Sequence, residues 1–299
     1  MIDVSVVIPT IGRGSLRDAV RSALDQSHPV LEVIVSTDTA SSLDLPRDDR
    51  VRVVGDRPGS GAQRARQVGV RSARGDVVAL LDDDDLWNPY KIEGQLLAVS
   101  DVTGPWVASC RCVVRSADGS ERLLPPRVAR AHQDVAEFLY TYRFGRGGRG
   151  NGLLQSSTLM FPRGLASIVP LDADPSSVHH EASWLLLLRE AVPDLAVVQA
   201  PDPWVIYSVA PGSLSRHAVD DSEAHLRWAE EYLGSTSARV RGDYGLTSPV
   251  SAAFGARSWR GLVDSVRHTL LTGGRPGMPA MLYCSAKAMV LLLRGRTTR

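Results

Sequence analysis

Four consecutive aspartates, Asp82 to Asp85, are the part of the sequence best suited to chemistry. They follow an apolar run, Asp76–Leu81, that predicts a buried strand. Adjacent carboxylates repel one another, so a turn that holds them predicts a cation close by. Their oxygens suit Mg²⁺ or Mn²⁺ better than Zn²⁺. The alternative is a solvated acidic turn that precedes the next helix.

The elements before and after this turn alternate between strand and helix patterns. The predicted strands are Asp3–Pro9, Glu32–Thr37, Val51–Val54 and Asp76–Leu81, and the predicted helices are Ser15–Gln26, Ser60–Ala73 and Pro89–Val99. Such alternation predicts a parallel sheet that is covered by helices on both faces. Ligands of such sheets bind beyond the carboxyl ends of the strands, which is where the aspartates lie.

The pattern changes after about residue 105. The predicted strands there are Trp106–Val114, Gln155–Phe161, Ala196–Gln199 and Trp204–Val209, and Glu181–Glu190 is a predicted helix. The glycine- and arginine-rich run Gly145–Gly152 predicts an irregular loop. From Arg216 onward the pattern is mostly helical.

Composition narrows the function classes. The 299 residues are 43% hydrophobic and 22% charged, which is typical of a globular protein. A formal net charge of +1 argues against a nucleic-acid partner. Three cysteines cannot form a disulfide framework, and the start of the chain has no signal-peptide pattern, so we expect a cytoplasmic protein.

The apolar stretch Met278–Leu293 is interrupted by Lys287 and is too short and too polar to predict a membrane span. We expect a helix that packs on the rest of the protein. The alternative hypothesis is a helix that makes peripheral contact with the inner face of a membrane. The oligomeric state is left open by the sequence.

The stretch from Asp3 to Gln95 resembles the nucleotide-sugar-binding half of the inverting family-two glycosyltransferases, which have the GT-A fold. Val7-Ile8-Pro9-Thr10 resembles the opening strand and loop of that family. Gly61 to Gly69 resembles its Ala-Arg-Asn-x-Gly helix, with Gln67 in place of Asn. Leu81 to Tyr90 resembles its Asp-x-Asp stretch, and Pro201 to Arg216 resembles the strand and loop that close the donor site.

This resemblance implies a role for several residues. The nucleotide and its sugar would be held by Pro9, Thr10, Asp38, Arg66, Asp82, Asp83 and Arg216. Asp84 would ligate the Mn²⁺ or Mg²⁺ ion, although the four adjacent acids leave the choice open by one position. The sequence departs from the family where Thr37 replaces the first acid of an Asp-Asp pair and where Ala210 replaces a histidine.

The family resemblance also implies a catalytic base. Glu181 matches the second acid of a Glu-Asp pair that opens an apolar helix, with His180 in place of the first acid. The base would deprotonate an acceptor hydroxyl. The alternative is that Glu181 only favours the dipole of the helix at its N-terminus. His179, His180 and Asp174 are the next candidates for the base.

The sequence therefore predicts a mixed, mostly parallel sheet flanked by helices, with a helical C-terminal extension. We expect a glycosyltransferase domain over residues 1–217, divided into donor-binding (1–105) and acceptor (106–217) halves, and the extension over 218–299. The expected reaction moves a sugar, with inversion, from a UDP- or dTDP-linked donor to an unidentified hydroxyl acceptor. The alternatives are a nucleotidyl- or phosphoryl-transfer enzyme with the same metal site and a non-catalytic protein that binds sugar nucleotides.

Overall fold

The computed structural model describes residues 2–130, 133–145, 148–150, 152–209 and 219–296. The chain divides into two compact units. The first contains residues 1–133 and 153–210, and the second contains residues 134–152 and 211–299. The boundary that the sequence predicts near residue 217 falls in 210–218, outside the described residues.

The strands and helices have the following bounds. The strands are β1 (Val4–Thr10), β2 (Glu32–Thr37), β3 (Val51–Gly55), β4 (Val77–Leu80), β5 (Leu86–Trp87), β6 (Trp106–Ser116), β7 (Glu121–Leu124), β8 (Arg143–Gly145), β9 (Gly148–Gly150), β10 (Met160–Pro162) and β11 (Ala196–Val209). The helices are α1 (Leu16–Leu24), α2 (Ala62–Ser72), α3 (Lys91–Ala98), α4 (Val135–Tyr140), α5 (Leu165–Ile168), α6 (His180–Ala191), α7 (Ser222–Leu233), α8 (Ala238–Gly245), α9 (Ser248–Gly255), α10 (Trp259–Leu271) and α11 (Met278–Arg296).

The first unit is built on a nine-stranded sheet with the order β3-β2-β1-β4-β10-β6-β11-β5, and β7 pairs with β6 at the side. Strands β3, β2, β1 and β4 run parallel, as do β6 and β11. Strand β10 is antiparallel to both β4 and β6 and joins the two parallel groups. The predicted mixed, mostly parallel sheet flanked by helices is confirmed.

The core lies on the two faces of the parallel strands. Every residue of β1 and β4 is buried, because helices cover both faces, and this explains why these strands are apolar without alternation. Helix α2 approaches β1 closely at Gly69, where a Cβ atom would lie 2.4 Å from Val7 Cγ1. A side chain at position 69 would therefore push α2 away from the sheet.

Two predictions for the middle of the chain are wrong. The predicted strand Gln155–Phe161 begins instead with a 3₁₀ turn, Ser156–Thr158, and only its end belongs to β10. The predicted irregular loop Gly145–Gly152 contains part of a small hairpin, since β8 and β9 pair in an antiparallel ladder. In both places side-chain or cross-strand hydrogen bonds override the local pattern.

The predicted strands Ala196–Gln199 and Trp204–Val209 are two parts of one strand, β11. Its register against β6 shifts between Ala200 and Val205, where two prolines interrupt the ladder. The second part of β11 also pairs with β5, which directly follows Asp82–Asp85. This part of β11 therefore lies next to these four aspartates, which we call the acidic turn.

The second unit is mostly helical. Tyr142, Leu246, Val250, Ala280 and Cys284 form one of its apolar clusters, to which α9 and α11 contribute. Buried Asp243 accepts hydrogen bonds from the Tyr142 and Gly277 amides and pairs with Arg239. Within the part of the chain that the structure describes, no helix is long and apolar enough to cross a membrane.

Candidate active site

The predicted donor-binding residues lie at one edge of the sheet in the first unit. Strands β1, β2 and β4 are parallel neighbours, so Thr10, Asp38 and Asp82 follow or end their strands at the same edge. Pro9 is buried within β1 opposite Ser36. Arg216 lies outside the described residues, so its predicted contact with the diphosphate stays a prediction.

Asp83 connects the acidic turn to the loop that follows β1. Its carboxylate accepts a 2.6 Å hydrogen bond from Thr10 Oγ1 and pairs with Arg13. Thr10 Oγ1 in turn accepts a hydrogen bond from the Gly12 amide at 2.9 Å. Asp83 is almost completely buried, at 1% exposure, so these donors replace its water. Asp83 therefore holds the acidic turn against the end of β1 and the loop that follows it.

Asp84 is the carboxylate of this turn that is best placed for a cation. Its side chain is 28% exposed, and Arg13 Nη1 lies 3.7 Å from Asp84 Oδ2, beyond hydrogen-bond distance. Burial, together with the nearby charges of Asp82 and Asp83, raises the pKa of Asp84 against the opposing effect of Arg13. An added cation would relieve this destabilisation of the charged form.

The fit of the acidic turn to the predicted divalent ion depends on how many ligands this chain supplies. Within the described ranges, no group of three or more His, Cys, Asp and Glu side chains is arranged to hold a metal. Mg²⁺, however, is often held by one or two carboxylates while substrate phosphates and water supply the other ligands. The partly exposed carboxylate of Asp84 fits this shared kind of site.

Asp85 ties the acidic turn to the neighbouring strand and turn. Its carboxylate accepts hydrogen bonds from Ser157 Oγ at 2.6 Å, Gln155 Nε2 at 2.9 Å and the Ser208 amide at 2.9 Å. Burial and the charge of Asp82 raise the pKa of Asp85 to about 8 in spite of these donors. The side chain is fully buried and acts as a structural link.

Arg66 brings positive charge to the acidic turn from α2. Its Nη2 lies 2.5 Å from Asp82 Oδ1, and the Arg66 side chain is only 8% exposed. Burial opposes its charge, but Asp82, Glu181 and Asp85 outweigh this effect and raise the pKa of Arg66. Arg66 Nε is buried without a hydrogen-bond partner in the described structure. Arg66 therefore keeps its charge.

Asp38 holds the loop that leads into α2. One carboxylate oxygen accepts hydrogen bonds from the Ser60 amide at 2.6 Å and Ser60 Oγ at 2.9 Å, and the other accepts from the Gly61 amide at 2.9 Å. Gly61 has a positive φ of 93°, a conformation that favours glycine. Any contact between Asp38 and a nucleotide stays a prediction.

Glu181 lies in the first turn of α6, where the helix dipole favours a negative charge. Its Oε1 accepts a hydrogen bond from Ser156 Oγ. Glu181 lines a small cavity of about 10 Å³ together with Gln63, Arg66, Ser156 and His180. The fold therefore brings the predicted base to the same cavity as the predicted donor-binding arginine.

His180 is the neighbour of Glu181 on the wall of this cavity. Burial lowers the pKa of His180, and Arg66 adds to this effect while Glu181 and Asp174 oppose it. Its Nδ1 is buried without a hydrogen-bond partner among the described residues. Burial therefore favours the neutral form of His180 beside Glu181.

Gln67, which replaces the family's asparagine, positions the segment before α6. Its Nε2 donates to the Ala166 carbonyl at 3.3 Å, and its Oε1 accepts from the Leu171 amide at 2.9 Å. Trp184 of α6 contacts the same segment, because its indole nitrogen donates to the Val169 carbonyl at 2.8 Å. Both contacts restrict where Glu181 can lie.

Sequence reasoning missed Arg13 and the polar run Gln155-Ser156-Ser157. Arg13 pairs with Asp83, and the run donates hydrogen bonds to Asp82, Asp85 and Glu181. The available signal was a series of hydrogen-bonding side chains at the start of the predicted strand Gln155–Phe161. Several hydrogen-bonding side chains at the start of a predicted strand indicate a polar site near that end of the strand.

A family model described as "Glycosyl transferase family 2" matches residues 5–160, which contain the acidic turn and most of the residues around it. The chain belongs to glycosyl transferase family 2. The predicted family is therefore confirmed. Glu181 and Ser208 lie beyond the matched residues, so their roles rest on the geometry of this chain.

Curated relatives resemble the first third of this family-two chain. A putative teichuronic acid biosynthesis glycosyltransferase, TuaG of Bacillus subtilis, is 41% identical over 101 residues, which are 31% of this chain and 40% of TuaG. WfaP of Escherichia coli, a UDP-Glc:alpha-D-GlcNAc-diphosphoundecaprenol beta-1,3-glucosyltransferase, is 28% identical over 99 residues, which are 31% of this chain and 39% of WfaP. The matches span about two fifths of the length of each relative.

Among solved structures, Staphylococcus aureus TarS 1-349 in complex with UDP-GlcNAc is similar with a TM-score of 0.49 and 16% identity. The match covers 90% of this chain and 82% of that chain.

Proposed function

We propose that this family-two protein transfers a sugar, with inversion of configuration, from a UDP- or dTDP-linked donor to an acceptor hydroxyl. One observation carries the proposal: Glu181 and Arg66, which come from distant parts of the sequence, line one cavity, and Arg66 also holds Asp82 of the acidic turn. A base and a donor-binding group at the same cavity are what a direct transfer needs.

Glu181 would act as the general base. Ser156 holds Oε1, and the described structure gives Oε2 no hydrogen-bond partner, so Oε2 can accept the proton of the acceptor hydroxyl. As that proton moves to Glu181, the acceptor oxygen forms a bond to the anomeric carbon. The bond from that carbon to the diphosphate oxygen breaks, and the nucleoside diphosphate leaves with the electron pair. A single displacement inverts the configuration.

Asp84 would hold the divalent cation together with the donor diphosphate. When bound, Mn²⁺ or Mg²⁺ supplies positive charge that stabilises the leaving diphosphate. The chain contributes fixed positive charges around this position, because Arg66 pairs with Asp82 and Arg13 pairs with Asp83. Thr10 orients Asp83 from the end of β1.

The test is release of nucleoside diphosphate from a panel of UDP- and dTDP-sugars in the presence of Mn²⁺, since a transferase also passes its sugar slowly to water. UDP-Glc is included because WfaP is named for it. We expect one donor to be hydrolysed with the inverted anomer as the first product in time-resolved proton NMR. No hydrolysis of any donor would favour a non-catalytic binding protein, and retention would refute direct displacement.

The matched pair of variants is Glu181→Gln and Glu190→Gln, which change the same functional group at opposite ends of α6. Glu181→Gln removes the base and should lower turnover by about 10²- to 10⁴-fold while donor affinity is kept. Glu190→Gln should leave turnover unchanged. Equal rates for the two variants would show that the base lies elsewhere.

A further inference from the structure

Helix α10 of the second unit exposes large apolar side chains. They are Trp259, Val263, Leu270 and Leu271, with exposed fractions of 40%, 55%, 71% and 75%. Val263, Leu270 and Leu271 also line an apolar groove beside Arg267. Leu270 and Leu271 at the end of α10 therefore expose apolar surface that no other described residue covers.

Helix α11 has apolar side chains on two opposite sides, and Lys287 is the one charged residue between Met278 and Leu293. Ala280, Cys284 and Leu291 face the interior of the unit, where Leu291 packs in a cluster with Leu262 of α10. The opposite side is exposed by 44% to 68% at six positions: Met278, Met281, Leu282, Met289, Leu292 and Leu293. Apolar side chains on two opposite sides of a helix are normally both covered, and here only one side is.

These ten residues, which we call the α10–α11 surface, are half of the twenty exposed large hydrophobic residues in the described structure. The remaining ten are scattered from Ile2 to Val219. The concentration on two neighbouring helices indicates a surface that docks onto something apolar.

Charge indicates what that partner is. Residues 257–299 contain eight Lys and Arg against a single acid, Asp264, whereas residues 1–256 contain 26 Lys and Arg against 32 Asp and Glu. Arg257, Arg260, Arg267 and Arg275 are exposed next to the apolar side chains. Apolar helices with a basic border are typical of proteins that lie on anionic membranes.

We propose that the α10–α11 surface binds the face of an anionic lipid bilayer, with the apolar side chains at the level of the acyl boundary and the arginines against the headgroups. A second copy of this chain is a poorer partner, because a symmetric contact would place two strongly basic surfaces against each other. The inference uses only the second unit and does not depend on the proposed transferase reaction.

The experiment is sedimentation of the full chain with vesicles of phosphatidylcholine alone or with one quarter phosphatidylglycerol, at low and high salt. We expect at least tenfold stronger binding to the anionic vesicles, and we expect 0.5 M NaCl to weaken it. Equal binding to both vesicles would overturn the electrostatic part, and no binding to either would overturn the proposal.

Two matched pairs of variants locate the contact. Met289→Glu with Leu293→Glu changes only exposed positions of α11, and the control Leu97→Glu with Ile168→Glu removes similarly exposed apolar groups from the first unit. Only the α11 pair should lose binding, by at least about tenfold. Equal loss in both pairs would show that the added charge, and not the surface, is responsible.

The second pair tests the arginines. Arg267→Gln with Arg275→Gln should weaken binding by about fivefold for each residue, whereas Arg47→Gln with Arg71→Gln should not change it. Light scattering of the same samples without lipid tests whether a second copy of this chain covers the α10–α11 surface instead. A stable dimer that Met289→Glu with Leu293→Glu dissociates would assign the surface to a second copy and refute the lipid proposal.

Discussion

Replacing Lys91 by methionine should stabilise the protein, and the gain should depend on pH. Lys91 is fully buried at the start of α3, and its Nζ has no hydrogen-bond partner among the described residues. The ammonium group lies 3.8 Å from the centre of the Trp87 ring. Burial lowers the pKa of Lys91 from 10.5 to about 7. Methionine fills a similar volume without a charge.

The size of the effect follows from linkage. Below pH 7 the lysine is protonated in both the folded and the unfolded chain, and the lowered pKa corresponds to a cost of about 5 kcal/mol. The Trp87 ring offsets about 1 kcal/mol of this cost. Between pH 7 and 10.5 only the unfolded chain keeps the proton, so the stability of the wild type rises relative to the variant as the pH increases.

We therefore expect Lys91→Met to raise the free energy of unfolding by about 3 to 5 kcal/mol at pH 6 and by about 2 kcal/mol less at pH 9. Urea unfolding followed by far-UV circular dichroism at both pH values measures this. The control is Lys287→Met, which removes a cation 3.9 Å from the Phe254 ring at a partly exposed position. Destabilisation by Lys91→Met at pH 6, or a gain that does not change with pH, would refute the reasoning.

Further predictions concern the site. Asp84→Asn should abolish the increase in Tm that Mn²⁺ and a UDP-sugar cause together, while the Tm without ligand stays equal or rises because repulsion in the turn is relieved. Arg66→Met should weaken UDP binding in calorimetry by about 1.5–3 kcal/mol, and unchanged affinity would separate Arg66 from the nucleotide. Asp38→Ala should weaken UDP binding similarly by releasing Ser60 and Gly61, and the Ser60→Ala variant should lose less. Gly69→Ala should lower stability by about 1–3 kcal/mol, because its Cβ would lie 2.4 Å from Val7 Cγ1.

The elements of residues 1–105 could be predicted from sequence because their signals are local. Glu32–Thr37 is a strand with the predicted bounds, and the predicted helices around α1, α2 and α3 differ from the observed ones only at their ends. Buried parallel strands are apolar on both faces, and helices repeat their apolar positions about every fourth residue, so each can be recognised from its own residues. The position of the acidic turn follows from the strand before it.

Only the tertiary structure determines which side chains form hydrogen bonds with the aspartates of the acidic turn. Asp83 meets Thr10 across 73 positions and Asp85 meets Ser157 across 72 positions, and no local pattern encodes such pairs. The hydrogen bond from Ser157 to Asp85 also helps to hold the 3₁₀ turn Ser156–Thr158 in a segment whose own sequence favours a strand. The sequence by itself determined the family, the sheet type and the acidic turn, because these depend on neighbours along the chain. Which carboxylate stays exposed, and that Glu181 meets Arg66, depends on how separate elements pack, and only the folded structure decides that.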